Sequence, residues 1–170
     1  GVADKIISES KYDNKLKYVV GTMVETPRAS LTASYFSYGT NDLTQFTFGF
    51  SRNDYSSYIT SYLDKNLLDF DPFKTLDPEG VGRLIELSIK EGKAANPKLR
   101  AGICGETGGD PASIAYFYKY GADYVSCSPF RVPGARLAAA QAIVLAKAAV
   151  KPAKKTKKKV SKKKAKKSRK

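Results

Sequence analysis

Four short apolar runs, each ending in polar or glycine-rich residues, constrain the fold of this chain more than any other feature: residues 18–24, 35–38, 99–104 and 124–127. They read as buried strands that deliver polar groups at their C-terminal tips. Helical patterns lie between them. Asp77-Pro78 supplies an N-cap and a first-turn proline for a helix with Val81, Leu84, Ile85 and Ile89 on one face and Gly92 near its stop. Asp110-Pro111 opens a second helix, which Gly121 closes. Pro133 opens a third, where Leu137, Gln141, Val144, Leu145 and Ala148 follow helical spacing. Strand alternating with helix predicts a parallel α/β sheet. Residues 46–76 fit no single element; eight aromatic residues among Ser, Asn and Asp read there as a long functional connection.

Charge divides the chain in two. All 16 acidic residues precede position 151, whereas 13 of the 30 Lys and Arg fall in 151–170. The sequence pI of 9.7 therefore describes the tail. Residues 1–150 form the predicted domain, and the low-complexity stretch 151–170 is predicted to be disordered, having almost nothing apolar to bury. Its charge suits polyanions, bound without sequence preference because no aromatic residue interleaves the lysines. It also resembles a nuclear-targeting tail. No run of about 18 apolar residues is present, so no membrane partner is expected, and an intracellular protein, cytoplasmic or organellar, is the default reading. Cys104 and Cys127 read as reduced thiols. The chain has no His, which removes histidine ligands and histidine acid/base chemistry.

Three segments carry a family resemblance: Gly-Thr-Met-Val-Glu-Thr-Pro-Arg-Ala (21–29), Gly-Thr-Asn-Asp-Leu-Thr-Gln (39–45) and Gly-Ile-Cys-Gly-Glu-Thr-Gly-Gly-Asp-Pro (102–111). They resemble the phosphoenolpyruvate-utilising barrel enzymes. Residues 48–54, 124–133 and 135–142 look specifically like the dikinase branch. The resemblance covers roughly residues 1–145. It implies the second half, strands 5–8, of a phosphoenolpyruvate/pyruvate-binding (β/α)8 barrel of the TIM type, with its chemistry at the strand tips. The family reaction converts ATP, phosphate and pyruvate to AMP, pyrophosphate and phosphoenolpyruvate through a phosphohistidine. The histidine-bearing and nucleotide-binding domains of the family are not in this sequence, and the full-length family forms homo-oligomers. An isolated half of this kind is expected to be inactive.

The resemblance also implies site residues. Glu25 and Asp42, at successive strand tips, would hold Mg²⁺, which stabilises the pyruvate enolate; hard carboxylate oxygens suit that ion. On position alone they read as ordinary surface acids at βα junctions, and the motifs around both reverse that reading. Gly39, Thr40, Asn41 and Asp42 resemble the family's substrate-binding turn, although Gly-Thr-Asn-Asp is a good turn in any protein. Cys127 resembles the general acid that protonates the enolate at carbon; a small buried hydrophobe is the alternative. Cys104 reads as strand core. The family's phosphate-binding arginines belong to earlier strands, and Arg28, Arg131 and Arg136 do not replace them. Finally, the segment after Glu25 begins like the family's helix and stops about two turns early. A parallel crossover normally needs a dozen or more residues, so strained geometry is expected between the first two strands.

Overall fold

The computed structural model describes residues 1–10, 16–18, 21–32 and 36–150. In chain order the elements are α1 (Val2–Ser8), β1 (Thr22–Val24), α2 (Pro27–Leu31), β2 (Phe36–Gly39), α3 (Thr40–Phe48), α4 (Ile59–Asp64) and α5 (Val81–Ala95), then β3 (Gly102–Cys104), α6 (Pro111–Tyr120), β4 (Tyr124–Val125) and α7 (Val132–Val150). Single 3-10 turns occupy Tyr55–Ser57, Glu106–Gly109 and Pro129–Arg131. The expected tail, 151–170, lies outside the described residues.

The four strands form one sheet in the order β1-β2-β3-β4, with every pairing parallel. β1 and β3 occupy only the C-terminal parts of the runs 18–24 and 99–104, β4 only the first half of 124–127, and β2 runs one residue later than 35–38. The abbreviated crossover does not prevent pairing: Thr22, Met23 and Val24 align with Phe36, Ser37 and Tyr38. The five-residue α2 starts from Thr26, whose hydroxyl accepts the Ala29 N–H.

One face of the sheet carries the main core. Val24, Ala101 and Ile103 pack with Leu43 of α3, Val81, Ile85 and Ile89 of α5, and Phe117 and Tyr120 of α6. Burying each large aliphatic or aromatic side chain contributes about 1.5–3 kcal/mol. Strand alternation sends Met23 and Tyr124 to the opposite face, where they are 44% and 45% exposed. The Tyr124 ring lies against Gly102 so closely that a Cβ there would collide with it.

Caps explain where the helices begin. Asp110 accepts the Ser113 N–H at 2.9 Å with Pro111 in the first turn, and Gly121 closes α6 at φ +85°, as the sequence predicts. The Asp77 expectation is displaced by three residues. Its carboxylate accepts the N–H groups of Glu79, Gly80 and Val81, and the helix starts at Val81 with Gly92 buried inside it. Nor is 46–76 a single irregular stretch, since it holds the end of α3, a 3-10 turn and α4, and its aromatics pack on one another: Phe50 meets Phe48 at a tilt and Tyr58 edge to face, and Tyr55 packs tilted on Phe73. In α7 the buried face is Ala135, Ala138 and Ala142, while Leu137, Val144 and Leu145 stand 61%, 65% and 69% exposed. Small residues let α7 approach α6 closely, where Ala135 and Ala138 meet Ile114.

Asp123 ties the far ends of β3 and β4 to α5. Its carboxylate accepts the Ala101 N–H at 2.7 Å and faces Lys93 Nζ at 3.0 Å, while Lys93 also donates to the Gly121 carbonyl at 2.6 Å. Partial burial alone would raise the Asp123 carboxyl; the Ala101 N–H, the Lys93 hydrogen bond and the charges of Lys93 and Arg100 outweigh it and hold it below its ordinary value. A depressed folded pKa contributes stability above the unfolded value of about 3.9, and that contribution is lost as pH falls through the folded pKa. Asp123→Asn is therefore expected to lower the thermal midpoint at pH 7 and to match the wild type at about pH 2. An equal deficit at both pH values in thermal unfolding would show that the charge of Asp123 is not what matters.

Candidate active site at the strand tips

Register brings the predicted site residues together. Gly39 aligns with Cys104 across β2 and β3, and Glu25 follows Val24, the partner of Tyr38. Glu25, Gly39 and Cys104 thus form one row across the tips of three strands. Gly39 has a physical role in it, because a Cβ there would lie 2.9 Å from Glu25 Oε1 and from Met23 Cε. Asp42 sits in the first turn of α3, where the helix dipole favours a carboxylate. Burial pushes the Cys104 thiol above its ordinary pKa, and the negative charges of Glu25 and then Asp42 add to the rise. Both carboxylates are therefore electrostatic neighbours of Cys104, which is half-buried at the site and not strand core as the sequence suggests. Among the described residues, no group of three or more His, Cys, Asp or Glu is arranged to hold a metal ion.

Thr40 and Asn41 diverge. Thr40 is fully buried, donating to the Cys104 carbonyl at 2.8 Å and accepting from the Thr107 hydroxyl at 2.8 Å. Its hydroxyl joins β2 to the β3 connection and does not face the cavity, contrary to a side-chain role in binding. Asn41 does face it: its Nδ2 donates to the Glu106 carboxylate, and its Oδ1 is buried without a hydrogen-bond partner. The cavity has a volume of about 470 Å³ and is lined by Asn41, Glu106, Ser126, Cys127, Ser128 and Arg131, together with Gly105. Cys127 forms part of this wall and packs against Ile114, Ala135 and Ala138 on its other side. It lies next to Gly109, two residues beyond the end of β4, and outside the row of Glu25, Gly39 and Cys104.

Residues 2–144 match the PEP-utilising enzyme family over its PEP-binding domain. The chain belongs to the PEP-utilising enzyme family. It is 54% identical over 149 residues to the chloroplastic pyruvate, phosphate dikinase of Mesembryanthemum crystallinum, covering 84% of this chain and 16% of that protein. With the pyruvate, phosphate dikinase of Rickettsia bellii the identity is 54% over 141 residues, covering 79% of this chain and 16% of that protein. With the chloroplastic pyruvate, phosphate dikinase 1 of Arabidopsis thaliana it is 53% over 150 residues, 84% of this chain and 15% of that protein. This PEP-utilising chain thus spans about one sixth of the length of these curated relatives.

Sequence reasoning missed three further residues at the tips of this PEP-utilising fold. Glu106 receives Asn41, faces Arg52 Nη2 at 3.7 Å, and accepts Arg131 Nη1 on its backbone carbonyl at 3.0 Å. Arg52 lies in the aromatic connection, with its guanidinium 5.9 Å from the centre of the Phe73 ring and its backbone N–H donating to Gln45 Oε1. Only the motif Gly-Glu at 105–106 hinted at any of this. Gly105 itself sits at φ +108°, where a Cβ would fall 2.4 Å from Thr40 Oγ1 and 3.1 Å from Asn41 Oδ1. Gly105→Ala is expected to cost about 1–3 kcal/mol, more than Gly49→Ala, since Gly49 at φ +67° has open space around it. Urea unfolding of both variants checks this; equal costs would show that crowding at the tips plays no part.

Proposed function

We propose that this chain forms strands five to eight of a phosphoenolpyruvate/pyruvate-binding (β/α)8 barrel and supplies the enolate-stabilising and proton-donating groups of a dikinase-type phosphotransferase. Four parallel strands in sequential order, with helices on one face and Met23 and Tyr124 bare on the other, suit half of such a barrel. The observation that carries the functional reading is the row of Glu25, Gly39 and Cys104 at the strand tips, with Asp42 in the first turn of the helix that Gly39 begins. The phosphohistidine and nucleotide-binding domains, and the barrel strands before these, lie outside this sequence in this reading.

Two carboxylates suit Mg²⁺, which is usually bound through one or two carboxylates and completes its octahedron with water and substrate oxygens. Glu25 and Asp42 would hold it, and when bound it offsets the negative charge of the enolate oxygen. Gly39 keeps the space beside Glu25 clear, and Asn41 offers an amide edge to a carboxylate or phosphate. After the phosphoryl group leaves phosphoenolpyruvate for histidine, the remaining enolate takes a proton at its methylene carbon. We assign that step to Cys104 on its place in the row with Glu25 and Gly39: the S–H bond breaks, the C–H bond forms, and the thiolate left behind is reprotonated from water. On sequence the same role falls to Cys127, which lines the cavity with Asn41; that is the second reading of the proton donor.

The two thiols are separable in a full-length dikinase carrying this segment in place of its own. Cys104→Ser is expected to slow pyruvate phosphorylation by about 10²- to 10⁴-fold, the usual contribution of a general acid. Phosphohistidine formation from ATP is expected to be spared, and Cys127→Ser to retain most activity. Loss confined to Cys127→Ser would transfer the role to that residue, and full activity in both would end the proton-donor assignment.

A reading from another class, a non-catalytic remnant kept for assembly or polyanion binding, is favoured by the 13 positive charges of residues 151–170. It predicts binding to duplex DNA whose log affinity falls against log salt by up to about 0.9 per phosphate contacted. Fluorescence titration of the whole chain against residues 1–150 distinguishes the cases, because binding retained by the shorter chain would exclude the basic segment as its source.

A further inference from the structure

Three connections that are far apart in sequence meet at one residue. Asn41 from α3, Arg52 from the aromatic connection after it, and Arg131 from the turn before α7 all converge on Glu106. Two of them use its carboxylate, and the third uses its carbonyl oxygen. We propose that Glu106 is a positioning residue: it fixes the plane of the Asn41 amide on the wall of the 470 Å³ cavity that Glu106 and Arg131 also line, so that the remaining amide proton faces a small oxyanion. This deepens the reading of the strand tips given above and rests on it for the class of ligand.

The geometry supports orientation over bulk stability. The Glu106 side chain is 48% exposed and its partner Arg52 is 43% exposed, so their ion pair contributes little to folding. The amide of Asn41 is different. An amide nitrogen carries two protons, and giving one to Glu106 sets the side-chain plane while leaving the other free to donate to an oxyanion. Oδ1 is buried without a hydrogen-bond partner, so no bond at the oxygen competes with Glu106 in setting that plane. Without Glu106 the amide is free to rotate among its side-chain torsions. Gly105 allows the arrangement, since any side chain there would strike Thr40 Oγ1 and press on Asn41 Oδ1.

The test uses the whole chain, with ¹⁵N NMR of the Asn41 side-chain amide, assigned by its loss in Asn41→Ala, and titration with oxalate in the presence of Mg²⁺. In Glu106→Ala the Asn41 amide protons are expected to move toward free-amide shifts and exchange faster, and oxalate affinity to fall about tenfold, one hydrogen bond's worth. Glu106→Gln keeps an acceptor and is expected to restore most of both. Because Glu106 acts through Asn41, the double variant Asn41→Ala/Glu106→Ala is expected to bind oxalate no worse than Asn41→Ala alone. Unchanged Asn41 amide signals in Glu106→Ala and Glu106→Gln, or losses that multiply in the double variant, would overturn the proposal. If the wild-type chain binds no oxalate with Mg²⁺, the oxyanion reading of the site fails, while the amide signals still decide whether Glu106 holds Asn41.

Discussion

The parallel pairing of β2 with β3 is the constraint on which the site depends. It sets Gly39 beside Cys104, and the Thr40 hydroxyl locks the register one residue further on by bonding the Cys104 carbonyl and receiving Thr107. A slip of one residue would turn Cys104 toward the helices and Ile103 toward the open face, exchanging the core for the site. The buried Ile103 is therefore as much a determinant of the site as the polar residues are. It fixes which way the next side chain points.

The same alternation explains the uneven covering of the sheet. Val24, Ala101 and Ile103 face α3, α5 and α6 and build the apolar layer, so Met23, Gly102 and Tyr124 are left to the other side. Parallel sheets in α/β proteins are normally buried on both faces. Here the tip residues belong to the open side, which is the side where a closed barrel would place its interior and its chemistry.

Much of this was legible in the sequence, for local reasons. Asp110-Pro111 and Gly121 bracket α6 because a capping carboxylate, a fixed φ and a left-handed glycine act within one turn. The four strands were visible as apolar runs and Glu25 as one tip, while Asp42, expected at the next tip, lies in the first turn of α3. What escaped depended on direction and distance. Asp77 looks like an N-cap, yet its carboxylate gathers three N–H groups in the turn before the helix. The large residues of α7 follow helical spacing and still face outward, since the alanines alone fit against α6. Glu106, Arg52 and Arg131 lie in separate connections, and nothing in a linear pattern places them together.

The two cysteines show how a strand-tip site is decided. Each ends an apolar run and each precedes a turn, so position along the run does not separate them. Parity does. Cys104 is the last paired residue of β3 and alternates with the buried Ile103, which sends it to the open side with Glu25 and Gly39. Cys127 comes two residues after β4 has ended, where the pleat no longer governs orientation and packing against Ile114, Ala135 and Ala138 takes over. A thiol fixed by the ladder keeps its distance to the carboxylates as rigidly as the sheet itself, whereas one held by a helix contact follows that helix. For the proton transfer proposed for Cys104, the ladder is the better support.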